Sequence, residues 1–116
     1  MALDWYERAP DCPRFPAAQG VKRLKGRWKT PILSILARGP ARFAALRAAL
    51  GEVSDKMLAQ QLQALEADGL VARTEVVSAP PKVVEYRLTP LGEAARPVLA
   101  ALSDFAAALR AASRAA

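Results

Sequence analysis

Two helical patterns separated by only three residues constrain the fold of this chain more than any other feature. The first predicts a short helix over residues 44–50, and its buried side includes the residue before it: Phe43, Leu46 and Leu50. In the second, leucines recur at positions i, i+4 and i+7, the spacing of one buried helical face: Leu58, Leu62 and Leu65. The stretch therefore predicts two packed helices joined by a tight turn.

The second helix has recognisable signals at both ends and is predicted over residues 54–68. Ser54 is a preferred N-cap residue, and Asp55 places a negative charge at the positive end of the helix dipole. Asp68 and Gly69 form a stop signal. At about 100° per residue, the side opposite the leucines and its two flanks carry Lys56, Gln60, Gln63, Met57 and Gln61. This helix thus has one apolar face and one polar face.

Residues 70–88 predict a β-hairpin that follows the two helices directly. The valine-rich residues 70–77 are typical of one strand, and residues 82–88 alternate like a second. Pro80 and Pro81 cannot donate ladder hydrogen bonds, so they mark a turn that puts Lys82 near the hairpin tip. The predicted fold class is mainly α with a small β-hairpin wing (α+β), a winged helix-turn-helix.

Residues 89–112 predict a final helix with more apolar surface than a small domain requires. Thr89 and Pro90 supply its N-cap and first position. Its apolar residues follow a 4-3-4-3-4 spacing: Leu91, Ala95, Val98, Leu102, Phe105 and Leu109. A heptad pattern of this length favours a partner helix, so we expect a homodimer; a helix lying on its own domain is the alternative. Pro97 should bend this helix.

Three more helices are predicted upstream, and residues 1–116 are predicted to form one domain. One helix falls in the first dozen residues, one begins near Pro13 or Pro16, and one runs from Arg27 to the stop at Gly39-Pro40. The predicted organisation is an N-terminal dimerisation and sensor segment, a binding core and a C-terminal dimerisation helix: residues 1–25, 27–88 and 89–112.

Basic residues are concentrated in one part of the chain. The net charge is +6. Residues 21–50 contain eight basic residues and no acid: Lys22, Arg23, Lys25, Arg27, Lys29, Arg38, Arg42 and Arg47. Such a block is typical of a protein that binds a polyanion. The alternative is the solvated face of an ordinary basic protein.

The composition argues against several function classes. The sequence has no histidine and a single cysteine. It therefore lacks the commonest general base, the usual zinc ligands and any disulfide within the chain. We expect no enzymatic activity, no metal and no cofactor. No apolar run approaches the ~20 residues that span a membrane, and the lone cysteine fits the reducing cytoplasm, where we expect the protein to act.

Short motifs over residues 12–105 resemble, in order and spacing, those of the HxlR-type subfamily of MarR-like winged helix-turn-helix regulators. They are Cys12-Pro13, Gly26-Arg27-Trp28-Lys29, Gly39-Pro40-Ala41-Arg42-Phe43, Ser54-Asp55-Lys56-Met57-Leu58, Leu65-Glu66-Ala67-Asp68-Gly69-Leu70, Pro80-Pro81-Lys82-Val83, Glu85-Tyr86 and Leu88-Thr89. The resemblance implies a dimeric bacterial DNA-binding regulator of transcription, and we expect a repressor.

The wing departs from the family pattern by one residue. The family usually has a single valine between the wing lysine and the Glu-Tyr pair, whereas this chain has Val83 and Val84. One extra residue either reverses the alternation of side chains or forms a β-bulge.

The polar face of the second helix is expected to enter the major groove of operator DNA. Gln60 and Gln61 can each pair with an adenine edge, and Lys56 can reach guanine or a phosphate. Ser54, with the free N–H groups at the helix start, can hold a phosphate. Met57 is expected either to touch a thymine methyl group or to lie at the edge of the core.

Arg42 and Lys82 are expected to contact phosphates, which would register the protein on DNA without reading sequence. The basic residues 22–29 either do the same or form a solvated face. Two such helices in a dimer would meet half-sites about one helical turn apart, so a near-palindromic operator is expected.

Cys12 is the candidate for a regulatory input. It precedes Pro13 at the expected start of a helix, and the helix dipole and Arg14 favour the reactive thiolate while Asp11 opposes it. Some members of the resembling family sense oxidants or electrophiles at such a cysteine, which implies an adduct or a disulfide between subunits here. The alternative is a small residue packed in the dimer interface. A small-molecule effector is also expected, although no residue specifies it.

A winged helix that serves only as a protein-interaction module, without sequence-specific DNA binding, is the competing hypothesis. The basic block, together with Lys56 and Lys82, favours DNA.

Overall fold

The structure is a computed structural model that describes residues 16–77 and 80–115. The helix predicted in the first dozen residues, Cys12 and two residues of the wing turn lie outside these ranges. The elements are α1 (Pro16–Leu24), α2 (Lys29–Leu36), α3 (Phe43–Leu50), α4 (Asp55–Ala67), β1 (Val71–Val77), β2 (Val83–Leu88), α5 (Pro90–Glu93) and α6 (Arg96–Ala115). The two strands form one antiparallel sheet, so the predicted fold class is confirmed.

One hydrophobic core holds the helix-turn-helix together. Its centre is α2, where Ile32 and Leu33 are fully buried and Leu36 is 2% exposed. The dense apolar run of α2 is explained by this position, because α2 packs against α3, β2 and α6. The other buried members come from α3, the turn, α4, the hairpin and α6: Leu46, Val53, Leu58, Leu62, Leu65, Leu70, Val71, Leu88 and Leu99.

The first helix of the helix-turn-helix is tied to the wing at its start. A single antiparallel bridge joins Ala41 to Tyr86, with N–O distances of 3.0 and 2.8 Å. Because the bridge ends at Ala41, Phe43 is free to begin α3, one residue earlier than predicted. Gly51, with a φ of 81°, is the C-cap residue of α3 and begins the turn.

The predicted boundaries of the second helix are confirmed by its caps. Ser54 Oγ accepts a hydrogen bond from the Met57 backbone N–H at 3.1 Å. At the other end, Gly69 has a φ of 78°, and two backbone bonds close a Schellman motif: Leu70 N–H to Leu65 O at 3.0 Å and Gly69 N–H to Glu66 O at 2.9 Å. The helix and its two caps span the predicted residues 54–68.

The wing contains a β-bulge, but the bulge lies on β1 and not on β2, the strand that carries the extra valine. The strands pair in register from Val71↔Leu88 to Glu75↔Val84, and the next pair is Val77↔Val83. Val76 therefore has no partner on β2. The bulge lies towards the tip, so the alternation of side chains near the core is preserved.

The prediction of one continuous helix over residues 89–112 is wrong. The segment forms two helices, and α6 continues to Ala115. Pro97 has no N–H, and its ring would clash with the Glu93 carbonyl four residues earlier, so α5 ends at Glu93. The Arg96 guanidinium donates to the Glu93 carboxylate across this break. These hydrogen bonds lower the pKa of Glu93.

The short helix α5 fits closely against the corner between α4 and β1. Thr89 Oγ accepts the Gly92 N–H at 3.0 Å and donates to the Gly69 carbonyl at 2.5 Å. Gly92 is buried, and a Cβ at this position would lie 2.1 Å from the Leu70 carbonyl oxygen. Only glycine allows this approach.

The apolar stripe of α6 is exposed in the single chain. Leu99 is the one buried residue of this helix, whereas four others are 44–60% exposed: Val98, Leu102, Phe105 and Leu109. An apolar groove of about 530 Å³ separates α6 from Val21 and Leu24 of α1. Among residues 16–77 and 80–115, no helix has the length and apolarity to cross a membrane.

Candidate nucleic-acid interface

The polar face of α4 points away from the core. Its three inner leucines, Leu58, Leu62 and Leu65, are 0–1% exposed. On the opposite side, Lys56 and Gln60 are exposed, as the helical spacing predicts. The helix therefore presents its polar side chains outward from a rigid support.

Met57 and Gln61 lie on the flank of this face and contact each other. The Gln61 amide nitrogen is 3.6 Å from Met57 Sδ. Met57 is 37% exposed, and Gln61 is half-buried. Gln61 is thus less available than Gln60 unless its side chain rotates.

Ser54 lies where α4 begins, with its Oγ already engaged as the cap acceptor. A phosphate at this point would meet the hydroxyl proton of Ser54 and the backbone N–H groups of Asp55 and Lys56. These groups have no carbonyl partner in the first turn of a helix.

Two exposed arginines belong to the preceding helix and its N-cap. Arg42 occupies the N-cap position of α3 and is exposed. Arg47, in the last turn of α3, forms an ion pair with Asp55, and its Nε lies 2.5 Å from Asp55 Oδ1. Helical periodicity does not predict this ion pair, because it depends on the angle between two helices.

Lys82 is exposed beside the tip of the wing, as predicted. Its Nζ lies 3.5 Å from the Glu75 carboxylate on the other strand. A phosphate contact by Lys82 would therefore exchange this ion pair for one with DNA.

Part of the basic block is used within the fold. Arg23 of α1 is 3.4 Å from Asp68, the C-cap of α4. Arg27 is 3.2 Å from Glu52 in the turn and stacks over the Trp28 ring at 4.6 Å. Arg23 and Arg27 thus each contact an acidic residue of the helix-turn-helix, through ion pairs that are partly or largely exposed to solvent.

No group of three or more metal-ligating side chains occurs in the described part of the chain. A helix-turn-helix whose second helix turns a polar face outward, followed by a two-stranded wing, defines a winged-helix DNA-binding protein.

Comparison with known proteins identifies the family. The profile of the HxlR-like helix-turn-helix family matches residues 23–113. The chain belongs to this family of transcriptional regulators, which are DNA-binding proteins and not enzymes. It is 48% identical over 90 residues to the helix-turn-helix-type regulator YtfH of Escherichia coli (strain K12), covering 78% of this chain and 71% of that protein.

Solved structures agree with this assignment. The redox regulator HypR in its reduced form matches with a TM-score of 0.81 at 28% identity, covering 87% of this chain and 99% of HypR. The transcriptional regulator YtfH of Salmonella typhimurium matches with a TM-score of 0.72 at 42% identity, covering 93% of each chain.

Proposed function

We propose that the protein is a cytoplasmic homodimer that binds a near-palindromic operator and represses transcription. The observation that carries the proposal is the outward polar face of α4, held in place by three buried leucines. A helix so supported can enter the major groove without unfolding any other part of the domain.

In this proposal, Gln60 reads a base edge near the centre of the helix contact, and Lys56 reaches guanine or phosphate one turn earlier. Gln61 and Met57 contribute from the flank, where Met57 can meet a thymine methyl group. Ser54 and the helix start hold a phosphate.

Arg42 and Lys82 register the protein on the DNA backbone. Both side chains are exposed, at the start of α3 and beside the wing tip. Each is therefore available to a phosphate beside the groove that α4 enters.

The exposed stripe of α6 supplies the dimer contact. Val98, Leu102, Phe105 and Leu109 recur at heptad spacing and are 44–60% exposed in the single chain. Pairing these faces in a second copy would bury them and fix the separation of the two recognition helices.

A redox input through Cys12 is part of the proposal. HypR, which shares the fold at 28% identity, is named as a redox regulator. With one cysteine per chain, the signal would be an adduct, or a disulfide between subunits or with a small thiol. A small apolar effector in the groove between α1 and α6 is the alternative input.

The DNA-binding part is tested by selecting duplexes from a random library with the full chain and measuring affinity over a salt series. Gln60→Ala should lose on the order of 1–3 kcal/mol on the selected duplex and little on scrambled DNA. Gln63→Ala, on the same face one turn later, is the matched control. Equal losses for Gln60→Ala on both DNAs would contradict base reading by this residue.

The redox part is tested separately by treating the protein with diamide. We expect a dimer on a non-reducing gel or a mass increase of the intact chain, together with altered DNA binding. Cys12→Ser is the control and should show none of these changes. Unchanged mass, gel mobility and DNA affinity in the wild type would remove Cys12 from the proposal and leave DNA binding intact.

A further inference from the structure

The ion pair between the two helices of the helix-turn-helix carries an additional inference, which rests on the proposed DNA binding. Arg47 Nε lies 2.5 Å from Asp55 Oδ1, and the two side chains are 51% and 71% exposed. We propose that Arg47 reads a guanine in the operator and that Asp55 is the positioning residue that aims the guanidinium at it.

The atom used in the ion pair determines what Arg47 can still bind. An arginine side chain has five N–H donors in a planar arrangement. The ion pair with Asp55 is made through Nε. Within the described residues, neither terminal nitrogen has a partner. Two parallel donors therefore remain, and they match the O6 and N7 acceptors that guanine presents in the major groove.

The position of the pair suits contact with a base. Asp55 is the first residue of α4, and the N-terminal part of a recognition helix is the part that reaches base edges. An open groove of about 410 Å³ lies beside the pair. Its wall includes Ala44, Ala48 and Gly51, so small residues border the approach to the guanidinium.

Asp55 is favoured by the helix dipole at the start of α4, but its carboxylate repels phosphates on a surface that binds a polyanion. Holding Arg47 in one orientation gives this carboxylate a second role, because an immobilised guanidinium loses less conformational freedom on binding. The wing pair of Lys82 and Glu75 differs, since an ammonium is a point charge without a fixed pair of donors.

The test uses a duplex selected by the wild-type chain from a random library, in which each guanine is replaced in turn by 7-deazaguanine or adenine. For the wild type, one symmetry-related guanine per half-site should show a loss of about 10-fold or more on replacement. Arg47→Ala should abolish that difference, whereas Arg47→Lys should reduce it and keep the affinity for scrambled DNA, because a lysine can approach guanine without a fixed pair of donors.

Asp55→Ala is the test of positioning. It should reduce the preference for the same guanine, while its affinity for scrambled DNA stays equal or rises because a negative charge is lost. A merely structural loss would lower binding to every duplex alike. Arg110→Ala, on α6, is the control for removing an arginine and should leave the preference unchanged.

Two results would overturn the inference. One is a guanine preference that survives Arg47→Ala, and the other is a loss for Arg47→Ala that is equal on all duplexes with a shallower salt dependence, as a phosphate contact gives. A wild-type chain that selects no sequence at all would instead contradict the proposed function. Circular dichroism of each variant checks that it is folded.

Discussion

Helices α4 and α6 are both amphipathic, but only α4 has its apolar face covered within the chain. The inner leucines of α4 are 0–1% exposed, whereas Val98, Leu102, Phe105 and Leu109 of α6 are 44–60% exposed. Burial of apolar surface contributes roughly 25 cal/mol per Å². The domain itself therefore orients α4, while much of the apolar surface of α6 is left for a contact outside the single chain.

The two helices therefore differ in which of their faces stabilises the single chain. The polar side of α4 can change with little effect on folding, because the leucines behind it hold the helix. The exposed apolar side of α6 contributes little to the fold of its own chain, and in the proposed dimer it forms the interface. The same substitution should thus have different consequences in the two helices.

The largest effect is expected for a matched pair of leucine truncations. Leu62→Ala should lower the free energy of unfolding by about 2–5 kcal/mol, because it leaves a cavity in the core. Leu102→Ala should instead weaken dimerisation by on the order of 1–3 kcal/mol. Urea unfolding at several protein concentrations distinguishes the two, since only the dimer contact depends on concentration. Equal, concentration-independent losses for both variants would contradict the different roles of Leu62 and Leu102.

The next effect concerns the junction that joins α6 to the α4 region. Gly92→Ala should destabilise the protein by about 1–3 kcal/mol, because the new Cβ meets the Leu70 carbonyl and must displace α5. Thermal unfolding measures this change. Gly20→Ala in α1, where an added Cβ meets no atom within 4 Å, is the control. A Gly92→Ala variant as stable as the wild type would show that α5 is not held closely against this corner.

A smaller effect is expected at the start of α4. Ser54→Ala removes the acceptor for the Met57 N–H and should cost about 1 kcal/mol of folding stability. Ser54→Asp retains a capping acceptor and should recover most of this stability. Chemical denaturation should separate the two variants, and identical free energies of unfolding for both would argue against capping by Ser54.

The smallest effect is expected at the wing. Lys82→Ala should weaken binding to all duplexes about equally and reduce the slope of log affinity against log salt by about one unit. Its existing pair with Glu75 limits the loss, because Lys82 must leave one carboxylate to reach a phosphate. Fluorescence anisotropy over a salt series measures the slope. A loss confined to the selected duplex would mean that Lys82 reads sequence.

Local signals made the helix-turn-helix predictable. The leucine spacing of α4 fixed its buried face, and Ser54 and Gly69 fixed its ends. These features depend on residues within one or two helical turns. The exposed positions of Lys56 and Gln60 follow from the same periodicity.

Features that depend on packing between distant segments were missed or only partly foreseen. Pro97 predicted a bend in the last helix, but the structure shows a complete break between α5 and α6. The close fit of Gly92 against Leu70 beside this break is a tertiary contact, which local sequence signals do not reveal. The extra valine predicted a bulge or a reversed alternation on its own strand, whereas the strand pairing shows both valines of β2 paired and the bulge at Val76 of β1. The pair of Arg47 and Asp55 likewise depends on how α3 crosses α4.

The central claim is that two copies of α4, held together through α6, bind one two-fold symmetric DNA site. The most direct test is the mass of the complex between the full chain and a duplex that it selects from a random library. We predict two chains per duplex, on a site with two half-sites about one helical turn apart. One chain per duplex on an asymmetric site would contradict the claim.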